Sequence, residues 1–164
     1  MEKLRDATLV FLIKKSGDKI TDICLAMKKR GFGKGRWNGV GGKVVSPETI
    51  PEAAVRETGE EINISVKKEN LNKVAELSFY FPHNPAFDQK VHVYFIEEWG
   101  GEPSESEEMN PKWFSAQDLP YSDMWPDDIF WVPEVLKGKL LKATFSFGEG
   151  DTILNKEINI VDTL

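Results

Sequence analysis

Glu57, Glu60 and Glu61 stand three and four residues apart in the run Arg56-Glu-Thr-Gly-Glu-Glu61, so on a helix their carboxylates crowd one stripe. Each like-charged pair at such spacing costs about 0.2–0.5 kcal/mol, and a cation is the usual way to offset that repulsion. One or two carboxylates, with water and phosphate oxygens completing the shell, suit Mg²⁺. The stripe therefore reads as a metal-phosphate site. The plain alternative for residues 48–62 is a solvated acidic helix. Arg56 lies four residues from both Glu52 and Glu60, which gives it an ordinary ion-pairing role as well.

The glycine-rich stretch Gly31-Phe-Gly-Lys-Gly-Arg-Trp-Asn-Gly-Val-Gly-Gly42 precedes the stripe. It is neither of the two common nucleotide loops. Lys43 is followed by Val44, which fails the P-loop pattern, and Arg36 stands where a dinucleotide fold needs its third glycine. Its expected role is to bring backbone close to phosphate and metal through Gly41, Gly42 and Lys43, since glycine permits close approach; a plain turn is the alternative. Asp127 and Asp128 adjoin an expected helix, and taken by themselves read as helix caps. His83 and His92 are the only histidines, too few for a histidine metal site.

These groups need a frame. Thr49 with Glu52 forms a capping-box pattern, Pro51 falls in the first turn, and Ile50, Ala53, Ala54 and Ile62 supply an apolar side, so the stripe rides on a helix. Residues 6–14 and 20–27 flank Ser16-Gly17-Asp18-Lys19 and predict a hairpin. A short strand is expected between Gly42 and the helix, with further strands near 71–81 and 90–99. Pro126 should open a second helix through about Leu136, which Pro133 would kink or end. Residues 140–147 and 152–161 predict a closing pair of strands. The fold class is mixed α/β (α+β): a curved mixed sheet sandwiched between helices.

A chain of 164 residues with 40% apolar content can bury one core, so a single domain over residues 1–164 is expected. The net charge of −6 and pI near 5.1 argue against binding a nucleic-acid polymer, whose affinity rests on neutralised phosphates; a small nucleotide arriving with its cation remains compatible. The lone Cys24 cannot form an intrachain disulfide and is expected in the core. The apolar run Ala7 to Ile13 follows Lys3 and Arg5 in the manner of a leader, but Lys14 and Lys15 end it and its β-branched and aromatic content favours a strand. No run approaches the ~20 apolar residues of a membrane span. A cytoplasmic, monomeric protein with no membrane association is the expectation.

Gly42, Glu48, Arg56, Glu57, Glu60 and Glu61 occupy the fixed positions of a pattern that resembles the Nudix box, the signature of hydrolases acting on nucleoside diphosphates linked to another moiety. Thr58 and Asn63 depart from it, at places usually aliphatic and Gly; Asn tolerates the left-handed helix end nearly as well as Gly. Met27 to Lys43, Asp123-Met-Trp-Pro-Asp-Asp128, Glu105 to Met109 and Asp151-Thr-Ile-Leu154 are further similar to the oxidised purine nucleoside triphosphate hydrolases of that family. The resemblance implies Mg²⁺-dependent hydrolysis, with Mn²⁺ as a substitute, of triphosphates such as 8-oxo-dGTP or 2-hydroxy-dATP to the monophosphate and pyrophosphate. It implies metal ligands at Glu57, Glu60, Glu61, the Gly41 carbonyl and auxiliary Glu108, and an Arg56 that orients a catalytic glutamate. Around the base it places Thr8, Phe32, Asn38, Phe79, Trp125, Asp127, Asp128 and Trp131, with Lys28 at the edge. On that reading the adjacent aspartates repel, one keeps a proton, and the pair offers a donor beside an acceptor. The stretch between Phe81 and Lys90 is about two residues longer than the branch usually shows, and since such a loop could reach the pocket, substrate breadth is left open.

Overall fold

The computed structural model describes residues 4–164; Lys3, named above as a flank of the apolar run, lies outside them. Strand β1 (Arg5–Ser16) turns at Gly17 into β2 (Lys19–Lys28), the hairpin expected from the two apolar runs. Both faces of β1 are covered. Ala7, Phe11 and Ile13 enter one apolar cluster while Val10 and Leu12 enter the other, which is why the run is continuously apolar rather than alternating.

The described strands form a mixed sheet in the order β3-β2-β1-β5-β4-β7-β8. Here β3 is Trp37–Asn38, β4 Leu71–Tyr80, β5 Gln89–Ile96, β7 Leu140–Phe147 and β8 Ile153–Val161. The β1–β5 and β4–β7 pairs are parallel and the others antiparallel. Strand β6 (Met109–Ser115) was not expected from the sequence; it pairs antiparallel with β2 over the whole of its length.

Helix α1 (Ile50–Ile62) covers one face and α2 (Asp128–Leu136) the other. The Thr49–Glu52 capping box is formed in both directions, a device that stabilises a helix by about 1 kcal/mol. Asn63 takes the left-handed conformation, φ 60° and ψ 35°, and its N–H closes the helix on Gly59 and Thr58. Thr58 is buried and donates its hydroxyl to the Ala54 carbonyl at 2.6 Å, so a polar residue is satisfied where the pattern is usually aliphatic.

Three local expectations need correction. The short strand before α1 is Trp37–Asn38, inside the glycine-rich stretch; after Gly42 only an isolated bridge joins Lys43 to Ala7. Helix α2 starts at Asp128, two residues beyond Pro126, and continues through Pro133 instead of ending there. Arg56 makes no ion pair with Glu52, whose carboxylate is taken by the Thr49 N–H at 3.0 Å. Cys24 is buried as expected, and desolvation pushes its thiol up to about 11. No helix is long and apolar enough to cross a membrane among the described residues.

Candidate active site

Arg56 organises the exposed side of α1. Its guanidinium receives Glu48 through two contacts, Nε to Oε2 at 3.0 Å and Nη2 to Oε1 at 2.7 Å. It also reaches Glu57 at 2.8 Å, Glu60 at 3.2 Å and the Lys43 carbonyl at 3.1 Å. This fork ties Glu48, Glu57 and Glu60 to one guanidinium, whose spread of donors a lysine lacks. The Arg56 hydrogen bonds, helped by the Val45 N–H, hold the Glu48 carboxyl at about 2.

Glu61 is treated differently. It is only 6% exposed, and its Oε2 has no partner among the described residues. Burial first, then hydrogen bonding and repulsion from Glu57, push its carboxyl up to about 8. Glu57, Glu60, Glu61, Glu107 and Glu108 line one pocket together with Arg30 and Ser106. Among the described residues no three acidic or histidine side chains already converge as a finished metal cage, because Arg56 draws Glu57 and Glu60 towards itself. An orphaned buried carboxylate oxygen facing other carboxylates is nonetheless a donor set that a hard divalent cation fits.

Gly42 lies against this pocket so tightly that a Cβ there would sit 2.7 Å from Glu57 Oε1. At Gly41 a Cβ would collide with the Thr8 carbonyl. The two glycines therefore let the backbone run between β1 and α1.

On the other side of Gly42 a cavity of about 320 Å³ opens, within the usual range for small-molecule sites. It is lined by Thr8, Lys28, Phe32, Asn38, Gly41, Gly42, Lys43, Phe79, Trp125, Asp127, Asp128 and Trp131, so all twelve residues assigned to substrate binding share one space. Gly42 and Lys28 join the two regions: Lys28 lines the cavity and pairs with Glu108 at 3.4 Å. Aromatic rings form the walls. Phe32 leans on Trp125 with centroids 5.0 Å apart, and Phe79 stacks on Phe145 at 5.8 Å. Asn38 accepts from the Gly39 N–H at 2.8 Å through Oδ1, which orients its amide.

Asp127 and Asp128 are 2% and 3% exposed. Asp127 stands at the start of α2, yet its side chain makes no capping bond and accepts from Trp131 Nε1 at 2.8 Å. Desolvation raises both carboxyls, Asp127 to about 6 and Asp128 well above the ordinary range, where Asp127 adds repulsion and a shared hydrogen bond. Burial thus favours the protonated form in both, more strongly at Asp128, whose Oδ2 has no partner among the described residues.

Sequence reasoning missed several wall residues. Arg36 lays its guanidinium 4.1 Å from the centre of the Trp125 ring and pairs with Asp151 at 3.0 Å. Gly33, Phe81, Gln89, Val91, Met109 and Phe147 also line the cavity. The alternation in Val91, Val93 and Phe95 was visible, but nothing local says which face meets a ligand.

An acidic helical stripe, a glycine seam and an adjoining cavity on a mixed sheet define a nucleotide hydrolase of one class: residues 3–135 match the NUDIX domain, and the chain belongs to that family. It is 45% identical over 141 residues to the oxidized purine nucleoside triphosphate hydrolase of Mus musculus, covering 86% of this chain and 88% of that protein. The Danio rerio protein of the same name is 42% identical over 142 residues, covering 87% of this chain and 89% of its own length. The MutT protein of Bacillus halodurans superposes with a TM-score of 0.80 at 23% identity, covering 95% of this chain and 98% of that one, which establishes the fold.

Proposed function

We propose that this protein hydrolyses oxidised purine nucleoside triphosphates to the monophosphate and pyrophosphate, and so removes damaged nucleotides from the pool. The buried Asp127–Asp128 pair carries the reading. A neutral acid beside a carboxylate, both inside an aromatic-walled cavity, presents a donor next to an acceptor, and an oxidised purine differs from its parent in that pattern along its edge. Similarity to the mouse and zebrafish hydrolases over most of the chain supports the same substrate class.

Glu57, Glu60 and Glu61, the Gly41 carbonyl and Glu108 are the groups that would hold a divalent ion, Mg²⁺ first and Mn²⁺ as substitute. Such an ion supplies charge neutralisation on the polyphosphate. The chain's own residues do the rest. Phe32, Phe79 and Trp125 wall the base, with about 1–3 kcal/mol per stacked ring as the scale. Asn38, Asp127 and Asp128 read its edge, and Trp131 holds Asp127 in place from the core. Thr8 and the Gly41–Gly42 backbone set the seam along which the sugar and phosphates pass, with Lys28 and Lys43 offering positive charge beside it. Arg56 fixes Glu57 so that the stripe can take the proton of the attacking water. A single domain over residues 1–164, acting as a cytoplasmic monomer on a small nucleotide, completes the proposal.

Incubation of the purified protein and Mg²⁺ with 8-oxo-dGTP, 2-hydroxy-dATP, dGTP, dATP, a nucleotide sugar and a dinucleoside polyphosphate, with chromatographic resolution of products, tests it. Monophosphate and pyrophosphate from the oxidised triphosphates, well ahead of the normal ones, are expected. Preference for the nucleotide sugar or dinucleoside polyphosphate would overturn it.

A further inference from the structure

Strand β5 begins at Gln89, which pairs directly opposite Phe79 on β4. Directly opposed residues of an antiparallel pair share a face, and period-two alternation adds Val91 to that face. Gln89, Phe79 and Val91 accordingly all line the base cavity. An apolar side chain at residue 89 would complete the aromatic wall, yet the chain places there an amide that both donates and accepts. Because it is neutral, it neither attracts the phosphates nor competes with the glutamate stripe for a cation.

The segment just before it is built rather than loose. Pro85–Phe87 form a 3₁₀ turn, the Asp88 carboxylate accepts from the Phe81 N–H at 2.7 Å, and the Asn84 N–H donates to the Phe81 carbonyl at 2.8 Å. These bonds aim Phe87 at Phe32, whose rings stack with centroids 4.5 Å apart and planes 20° from parallel. Phe32 is 46% exposed and otherwise rests on Trp125, 5.0 Å away, and on the edge of Phe81, 6.0 Å away. Phe87 does not itself line the cavity; it backs the ring that does.

We infer that the Pro82–Gln89 segment is a specificity element of the base cavity, in which Gln89 reads a second edge of the purine through its amide and Phe87 is a positioning residue that holds Phe32 against the base. The inference rests on the reading of the cavity as a purine site. It adds a second point of contact to that reading: the purine is read from two sides, by Asp127–Asp128 and by Gln89.

Calorimetric titration of the full metal-free chain with 8-oxo-dGMP and dGMP tests it without turnover. Gln89→Leu should weaken 8-oxo-dGMP binding by about tenfold and narrow its advantage over dGMP, since a site built to hydrogen-bond loses discrimination when the partner is removed. Gln89→Glu, of nearly the same shape but without the donor, should weaken the same ligand. Phe87→Ala should weaken both nucleotides by about three- to tenfold with their ratio unchanged, and Phe87→Tyr, which keeps the stacked ring, should restore them. In turnover these variants should raise KM and leave kcat within about twofold, because neither residue lines the glutamate pocket. Unchanged Kd values for Gln89→Leu and Phe87→Ala, in a wild type that binds 8-oxo-dGMP, would overturn this inference alone. A wild type that fails to bind 8-oxo-dGMP would bring down the purine reading and this inference with it.

Discussion

The base cavity and the acidic stripe sit on either side of Gly42 and are prepared in different ways. In the cavity Asp127 accepts from Trp131 and the rings brace one another, while Asp128, its carboxyl raised by burial, has an Oδ2 without a partner among the described residues. On the stripe Arg56 satisfies Glu48, Glu57 and Glu60, whereas Glu61 stays buried, raised and short of a partner. Each half thus holds one buried, raised carboxyl, Asp128 among aromatic rings and Glu61 among carboxylates tied by Arg56. Perturbing each half separately shows whether the division is real.

The largest effect is expected on the stripe. Glu57→Gln or Glu61→Gln should lower turnover by at least about 10²-fold while 8-oxo-dGMP binding stays near wild type, as the monophosphate needs only the cavity. Metal-free stability should hold or rise, because the repulsion between neighbours falls. Near-normal rates in both variants at saturating Mg²⁺ would show that the two halves are misassigned.

Asp127→Ala or Asp128→Ala should do the reverse. We expect kcat/KM for 8-oxo-dGTP to fall by about 10–10²-fold towards the dGTP value, with Mg²⁺ binding unchanged by titration. Variants that melt at lower temperature but keep the wild-type ratio of oxidised to normal activity would make the pair structural.

A smaller effect separates the halves by pH. Glu61 stands at about 8 in the folded protein against an ordinary 4.5, and Asp127 at about 6 against 3.8. A raised folded-state value means that the folded chain still holds a proton the unfolded chain has released, so stability is greatest below the ordinary value and declines as pH rises through each window. The metal-free Tm should therefore fall as pH rises from 5 to 8. Mg²⁺ should flatten the upper part, and Glu61→Gln should make the fall shallower across the range. Asp128, also raised, keeps a residual slope, and the lowered His92, opposite in sign, offsets part of it below about pH 6.5. A Tm that is level over this range without metal would contradict the arrangement.

The smallest effect falls outside both halves. Asn63→Gly should favour the left-handed helix end but lose the Asn63 Nδ2 bond to Ser104 at 2.7 Å, leaving stability within about 0.5 kcal/mol and activity unchanged. Thermal melting checks it, and a larger loss would mean that the side-chain bond to Ser104 matters more than the backbone preference.

What could be seen in the sequence follows how local each feature is. The α1 helix carries its own start in Thr49 and Glu52 and its own end in Asn63, so it was legible almost to the residue. The β1–β2 hairpin needed only two apolar runs and a turn. Strand β6 was not legible, since Met109–Ser115 contains Pro111 and is a strand only because distant β2 pairs with it. Helix α2 was misjudged at its start, where a proline signal was preferred to the buried aspartates that follow. The stripe was visible because its spacing is helical; Arg36, Gln89 and Phe147 were not, because their place in the cavity depends on strands far apart in the chain.

The β7–β8 hairpin lies wholly beyond residue 135, where the match to the family's common domain stops. Phe147 nevertheless forms part of the cavity, and Asp151 tethers Arg36 over the indole of Trp125. The cavity therefore closes only when the chain returns after the family's common domain: Phe147 supplies a wall, and Asp151 acts as a guy-rope on Arg36, so the last hairpin can reshape that space without touching α1.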